Sequence, residues 1–233
     1  MAAASEVEVD TEDKHYWRRS FWALVGVAVL GLGAAVLRVA QVGVDPYTAA
    51  NIGISTAIGL DLGTYQLISN AVLLIPIFFL GREYTGIGTV INMVMTGYFI
   101  QWFSALLTPL VPSEPTRLEQ TAMFLFGITL FAAGASMYMT VALGNAPYDA
   151  IAPLIVDRTR VPYRVVRVIQ DLTFVGLALA FHGQVGIGTV MTAFFAGPLI
   201  DFFTEKVNKP LLKKDLAAVS ALQRRVKTTR WHF

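Results

Sequence analysis

The chain repeats itself at a spacing of about one hundred residues. Gly86-Ile87-Gly88-Thr89-Val90 returns as Gly186-Ile187-Gly188-Thr189-Val190, and Gly43-Val44-Asp45-Pro46-Tyr47 returns as Gly144-Asn145-Ala146-Pro147-Tyr148. At the same spacing, to within one residue, Gly26 matches Gly127, Gly33-Ala34 matches Gly134-Ala135, Ala49 matches Ala150, Gly97 matches Gly197, Ile100 matches Ile200 and Phe103 matches Phe203. The matches keep their order, so the chain is built from two copies of one unit. A duplicated half in an apolar chain is characteristic of membrane transport folds.

The solvent is set by charge. Only 15% of the 233 residues are charged and 55% are hydrophobic, against about 25% charged in soluble domains. Five of the sixteen acids lie before residue 14, and eight of the eighteen Lys and Arg lie after residue 205. Between Phe21 and Phe203 charge is sparse, as the interior of a bilayer demands. Cysteine is absent, which excludes disulfides and thiol-ligated metals. Residues 1–20 carry Glu6, Glu8, Asp10, Glu12 and Asp13. They read as a solvated acidic leader rather than a cleavable signal peptide.

A spanning helix needs about 20 apolar residues. Six runs meet that requirement: Phe21–Val42, Gly63–Leu80, Gly86–Leu110, Thr121–Leu143, Tyr163–Phe181 and Gly186–Phe203. Two helix-compatible segments, Pro46–Ala57 and Pro147–Val156, reach only about 15–20 Å at 1.5 Å per residue. Each begins with Pro, which suits a first helical turn, and the two correspond in the repeat. The predicted fold is therefore all-α, with a short half-helix after the first crossing of each copy. Three crossings per copy make the second copy inverted; four would make the copies parallel. With six crossings and the N-terminus inside, the inner segments carry Lys14, Arg18, Arg19, Arg82, Arg158, Arg160 and Arg164. The outer ones carry Asp45, Asp61, Glu114 and Glu119 against Arg117, with Arg38 near a helix end. The positive-inside rule favours this arrangement. It predicts a first repeat over 21–112, a second over 119–205 and both termini cytoplasmic. In the tail, 206–233, basic residues alternate with Leu and Val. That tail is expected to be a topology anchor, or an amphipathic helix on anionic lipid. Nucleic acid is not an expected partner, since no folded module accompanies the basic residues.

The Gly31-Leu32-Gly33 helix, the Gly43–Tyr47 turn, the Gly86-Ile87-Gly88-Thr89 helix start and Leu143-Gly144-Asn145-Ala146-Pro147-Tyr148-Asp149 together resemble the YczE/YyaS/YitT group of bacterial membrane proteins, over roughly residues 20 to 205. Within the group the likeness is strongest to the YczE type. In that group the first turn usually reads Gly-x-x-Pro-Trp-Asp. Here the position after Tyr47 is Thr48, while the second copy keeps Asp149. The resemblance implies a multi-pass protein of the bacterial inner membrane and names no substrate. A looser likeness in architecture to the substrate-binding subunits of vitamin uptake systems implies a partner subunit instead.

Candidate functional residues follow from the repeat. Gly43, Pro46, Gly144 and Pro147 mark the two half-helix turns, and Tyr47 and Tyr148 fall in the first helical turns, with Asp45 or Asn145 near the caps. These segments are either re-entrant elements lining a shared cavity or interfacial helices anchored by Tyr. Asp171 lies about eight residues into its span, roughly 12 Å deep, where a carboxylate is costly and marks a site. Its repeat mate is Asn70. Arg167, four residues earlier, shares its helix face, so Arg167 and Asp171 form a structural pair, or Asp171 serves a substrate or proton. Asn92 is deep enough to bond between helices. Asp149 joins the list through the family likeness, and Arg38, Gln101 and Asp201 are weaker candidates near helix ends. The helix glycines are expected to let backbones approach. Gly86-Ile87-Gly88 lacks the strand and third glycine of a nucleotide-binding loop.

No hydrolase or metalloprotease motif occurs, and His15, His182 and His232 are scattered. Neither an enzyme activity, a metal nor a cofactor is expected. The expected function is movement of a small solute across the membrane, by one half rocking against the other around Asn70, Asp171 and the Pro-Tyr turns. The alternative is a non-transporting partner or substrate-binding subunit of a larger complex. A homo-oligomer is compatible with both.

Overall fold

A computed structural model describes residues 2–213, 215 and 216, with side chains from residue 15 onward. Eight substantial α-helices account for most of it: α1 (Ala2–Val39), α2 (Pro46–Ile58), α3 (Leu62–Leu80), α4 (Ile87–Leu107), α5 (Arg117–Thr140), α6 (Pro147–Thr159), α7 (Tyr163–Ala180) and α8 (Ile187–Phe203). No strand occurs among the described residues. Both short segments of the sequence become helices of 13 residues, about 20 Å long.

Among the described residues, five stretches are long and apolar enough to cross a bilayer: His15–Val39, Leu62–Leu80, Ile87–Leu110, Arg117–Thr140 and Ile187–Leu211. The expected sixth, α7, has 18 residues but is less apolar, because it carries Arg164, Arg167 and Asp171. Its Val165, Val168, Ile169 and Leu172 face outward while Val166, Gln170 and Asp171 are buried. Apolar side chains such as Phe79 and Phe194 lie on the outside, and Gln66, Asn70, Asn92 and Thr192 lie inside. Polar groups turned inward and apolar groups turned outward mark a multi-pass membrane protein, whose surface solvent is lipid.

At the centre α1 and α5 pack together. A Cβ on Gly26 would lie 2.6 Å from the Tyr138 nitrogen and 3.0 Å from the Gly134 oxygen; one on Gly33 would lie 2.3 Å from the Phe131 nitrogen and 2.7 Å from the Gly127 oxygen. Rising residue numbers in α1 thus meet falling numbers in α5, so these repeat mates run antiparallel. The approach is backbone to backbone, as small-residue helix interfaces allow.

The short helices cross over. α2 packs on α7 and α3 packs on α6, so each copy covers the other. The two repeated glycine motifs explain how. Gly188 N donates to Val42 O (2.7 Å), and Gly88 N donates to Leu143 O (2.8 Å). Gly43 and Gly144 adopt φ of +91° and +105°, and a Cβ on either would lie 2.5 Å from the nitrogen of Gly186 or Gly86. The Gly-Ile-Gly-Thr start of one copy therefore receives the turn that precedes the short helix of the other. In both, the first glycine N–H donates to the threonine hydroxyl, at 3.0 Å to Thr89 and 3.1 Å to Thr189.

One end of the bundle holds both described ends of the chain. There Arg19 donates to Val141 O at 2.9 Å through Nε, and Arg18 and Asp215 pair at 3.1 Å. After α8 the chain folds back onto α5: the Thr204 and Ser136 hydroxyls are 2.8 Å apart, the Asn208 amide donates to Ser136 Oγ at 2.7 Å, and Leu212 is fully buried beside Ala23 and Val141. Residues 217–233, where the amphipathic tail is expected, lie outside the described residues, as do the side chains of the acidic leader before residue 15.

Candidate functional site

Asp45 caps α2 by accepting from Thr48 N at 3.1 Å, and Pro46 occupies the first turn. The cap leaves Asp45 Oδ2 buried without a hydrogen-bond partner among the described residues. In α6 the corresponding cap position is Ala146, and the carboxylate lies in the first turn instead, as Asp149. Each short helix thus brings one acid to its start, from opposite sides of the Pro-Tyr pair.

The turns set Tyr47 and Tyr148 against each other, with ring centroids 4.7 Å apart and planes 20° from parallel. Phe174 stands edge-on to both, at 5.2 Å. Each hydroxyl then reaches the long helix of its own copy. Tyr47 donates to Asn70 Oδ1 at 2.8 Å, and Tyr148 donates to Asp171. The repeat mates Asn70 and Asp171 thus play one structural part with different charge.

Arg167 joins the second-copy acids. Its Nε lies 3.4 Å from Asp171 Oδ1 and its Nη1 lies 3.2 Å from Asp149 Oδ1, while its guanidinium sits 4.7 Å from the Tyr148 ring centroid. The Tyr138 hydroxyl, on α5, donates to Asp149. The expected Arg167–Asp171 pair is present and extends to a third member that spacing along one helix could not reveal.

Of these groups, Asp45, Tyr47, Asn70, Tyr148, Asp149, Arg167 and Asp171 border a cavity of about 330 Å³ between the two copies, lined also by Gln66, Asn92, Thr96 and Thr192. Every residue singled out from the sequence as a binding candidate, Tyr47, Asn70, Asn92, Tyr148, Asp149 and Asp171, lines it. Of the turn residues, Pro46 lines it, while Gly43 borders a separate, more open groove of about 700 Å³ at the other end, with Arg38, Gln41, Gln101 and Gln184. Gly144 and Pro147 serve the turn geometry and do not line the cavity. Arg38 and Gln101 are brought to the groove rather than the cavity, and Asp201 to the cavity mouth.

At one end the cavity is bordered by exposed side chains. Tyr163, Met139 and Asp201 line it there, at the start of α7 and the ends of α5 and α8. At the opposite end the equivalent space is filled. Gly97 meets Gly63 and Gln66, with a built Cβ 3.0 Å from Gly63 Cα and 2.9 Å from Gln66 Cβ. Gly63 N donates to Gln101 Oε1 at 2.9 Å. In the second copy, Gly197 has nothing within 4 Å of its Cβ position, and Asp201 is exposed. The α3–α4 pair is closed while the α7–α8 pair is splayed.

The matching family model covers residues 17–205, most of the chain and the whole of this site. The chain belongs to a family of unknown function, DUF6198. Curated relatives resemble it along most of their length. It is 28% identical over 178 residues to the "Uncharacterized membrane protein YczE" of Bacillus subtilis, covering 76% of this chain and 81% of that protein. It is 26% identical over 192 residues to the "Uncharacterized protein YyaS" of the same organism, covering 82% and 94%. An "Uncharacterized protein" of Haemophilus influenzae is 30% identical over 184 residues, covering 77% and 80%. The resemblance read from the glycine and Pro-Tyr motifs is thereby shown. No solved structure matches the chain.

Proposed function

We propose that the protein is a small-solute transporter of the bacterial cell membrane, built from two inverted copies with three crossings each, α7 being the sixth crossing. The observation that carries this is the end-to-end asymmetry of equivalent parts: α3 and α4 sealed through Gly63, Gly97 and Gln101, α7 and α8 parted at Gly197 and Asp201. Two copies of one unit in opposite states are what alternating access requires. The antiparallel pairing of α1 with α5 supports the inversion. The charge read from the sequence, with Arg18, Arg19 and Arg164 at the open end, supports a cytoplasmic position for that end. A single residue, Val44, separates Gly43 on the outer groove from Asp45 on the cavity, so the barrier to the other face is thin. Because each copy's short helix docks on the other copy, exchange of access occurs within the α3–α4 and α7–α8 pairs rather than by rocking of whole halves.

Single cysteines in this cysteine-free chain test the proposal. Cysteines replacing Ser113 and Thr159 should react with an impermeant thiol reagent from opposite sides of the membrane. A cysteine replacing Thr192, buried at the cavity wall, should react from both sides. Reaction of Thr192→Cys from one side alone would leave a fixed binding pocket and remove transport; same-side reaction at 113 and 159 would remove the inversion.

A further inference from the structure

We propose that the cavity binds a small organic cation carrying N–H donors, an alkylammonium, through the free carboxylate oxygen of Asp45. This deepens the transporter reading and rests on it for the ligand's passage, not for its binding.

The argument starts from what the polar groups at the cavity lack. Asp45 Oδ2 is buried with no partner among the described residues, and so are Gln66 Oε1 and Thr96 Oγ1. Gln66 is 1% exposed and Thr96 5%, and all three residues line the cavity. Buried polar atoms in folded proteins are normally paired, so unpaired ones need an explanation. The Gln66 amide and the Thr96 hydroxyl can each accept or donate. An ionised carboxylate can only accept. The unfilled place at Asp45 is therefore the place of a donor.

Charge gives the sign of the ligand. Asp45, Asp149 and Asp171 border the space against Arg167 as the one guanidinium lining it. Arg167 is already held by both Asp149 and Asp171 and lies over Tyr148, so an anionic solute would have to compete with two carboxylates for it. A cation meets no such competition. Asp45, outside that cluster, has no salt-bridge partner among the described residues. The stacked Tyr47 and Tyr148 border the same space, and aromatic rings attract cations.

Organic rather than metallic chemistry follows from spacing and size. Among the described residues, no three His, Cys, Asp or Glu side chains gather as metal ligands. The cavity of about 330 Å³ is at the small end of the range for organic ligand sites. Its mouth carries Asp201, which adds to the negative potential an entering cation meets.

The experiment is calorimetric titration of the purified full-length protein with butylammonium, 1,4-diaminobutane, tetramethylammonium and butyrate. Butylammonium and diaminobutane should bind. Tetramethylammonium, which has no N–H, should bind at least tenfold more weakly, and butyrate should not bind. Asp45→Asn keeps an acceptor for the Thr48 cap and should weaken butylammonium at least tenfold. Thr96→Val, away from the cap, is the second variant and should weaken it severalfold with an unchanged Tm. Binding of butyrate in preference to the amines, failure of every amine to bind, or amine binding unaltered by both variants would overturn the cation inference. None of these results touches the transport reading, which stands or falls on two-sided labelling of Thr192→Cys.

Discussion

The equivalent glycines Gly97 and Gly197 offer a matched perturbation. Replacing Gly97 with Ala puts a methyl carbon 2.9 Å from Gln66 Cβ and 3.0 Å from Gly63 Cα. Carbon atoms prefer about 3.5–4.0 Å, so α3 and α4 must part by several tenths of an ångström. Overpacking of this kind costs about 1–3 kcal/mol, offset by up to about 1 kcal/mol from the better helix propensity of Ala. At Gly197 the same methyl meets nothing within 4 Å, so only the propensity gain remains. If sealed α3–α4 and parted α7–α8 belong to one state, Gly97→Ala disfavours that state. A bias of about 1–3 kcal/mol changes its population ratio by roughly 5- to 150-fold. The assay is the labelling rate of a cysteine replacing Asp201, exposed at the open mouth. Gly97→Ala should slow it, and Gly197→Ala should not. A lower Tm with an unchanged labelling rate would refute the coupling of the two helix pairs. Equal effects of the two substitutions would refute the packing difference itself.

Gly43→Ala and Gly144→Ala should each destabilise by about 2–5 kcal/mol, combining left-handed strain with a methyl 2.5 Å from a backbone nitrogen; Gly59→Ala, at φ +72° in open space, should show the strain alone, about 1–2 kcal/mol, in detergent thermal unfolding. Tyr47→Phe removes the donor to Asn70 Oδ1 and should cost about 1–3 kcal/mol in the same assay. Tyr148→Phe should cost less, because Asp171 retains Arg167. Between α3 and α4, the Tyr84 hydroxyl donates to Asp157, and that bond raises the phenol pKa from 10.0 to about 12. Its contribution is complete below the unfolded pKa near 10 and is lost as pH rises through about 12, so a Tm decline over that window should be absent in Tyr84→Phe.

Much of this site was legible because close approach leaves marks in sequence. Gly26, Gly33, Gly127, Gly134 and the glycines of the Gly-Ile-Gly-Thr starts recur because a Cβ at any of them would meet backbone at 3.1 Å or less. Asn70 and Asp171 stood out as polar groups at equal depth. Asp45 was harder to assign, since a helix cap is sufficient reason for an acid before Pro, and the cap uses only one of its oxygens. Gln66 and Thr96 were missed because their repeat mates, Arg167 and Ala196, differ in kind. A signal for them does exist: Gln66–Asn70, Asn92–Thr96 and Arg167–Asp171 are each polar pairs four residues apart in apolar helices, a spacing that puts both members on one face. Tyr138 gave no signal, because its partner Asp149 lies on another helix. The reduced apolarity of α7 has in part the same origin as the site: of its charged residues, Arg167 and Asp171 line the cavity, and hydropathy along the chain does not distinguish a charge facing a cavity from one facing lipid.

The crossed docking limits how such a protein can move. The Gly43 turn sits on the Gly186 start, the Gly144 turn sits on the Gly86 start, and α1 meets α5 backbone to backbone where Gly26 faces Gly134 and Gly33 faces Gly127. Contacts between backbones have no flexible atoms to yield, so sliding α1 along α5 would break several close fits at once. The short helices are held by both copies and are fixed to the same frame. Of the interfaces around the cavity, this leaves α3–α4 and α7–α8, where one pair is packed and its equivalent is not. Four polar differences between the copies lie along those two pairs: Gly63 against Arg164, Gln66 against Arg167, Asn70 against Asp171 and Gln101 against Asp201. A seal made of neutral groups on one side and charged groups on the other would separate with different ease and hydration, giving the two faces of the membrane unequal access from one duplicated design.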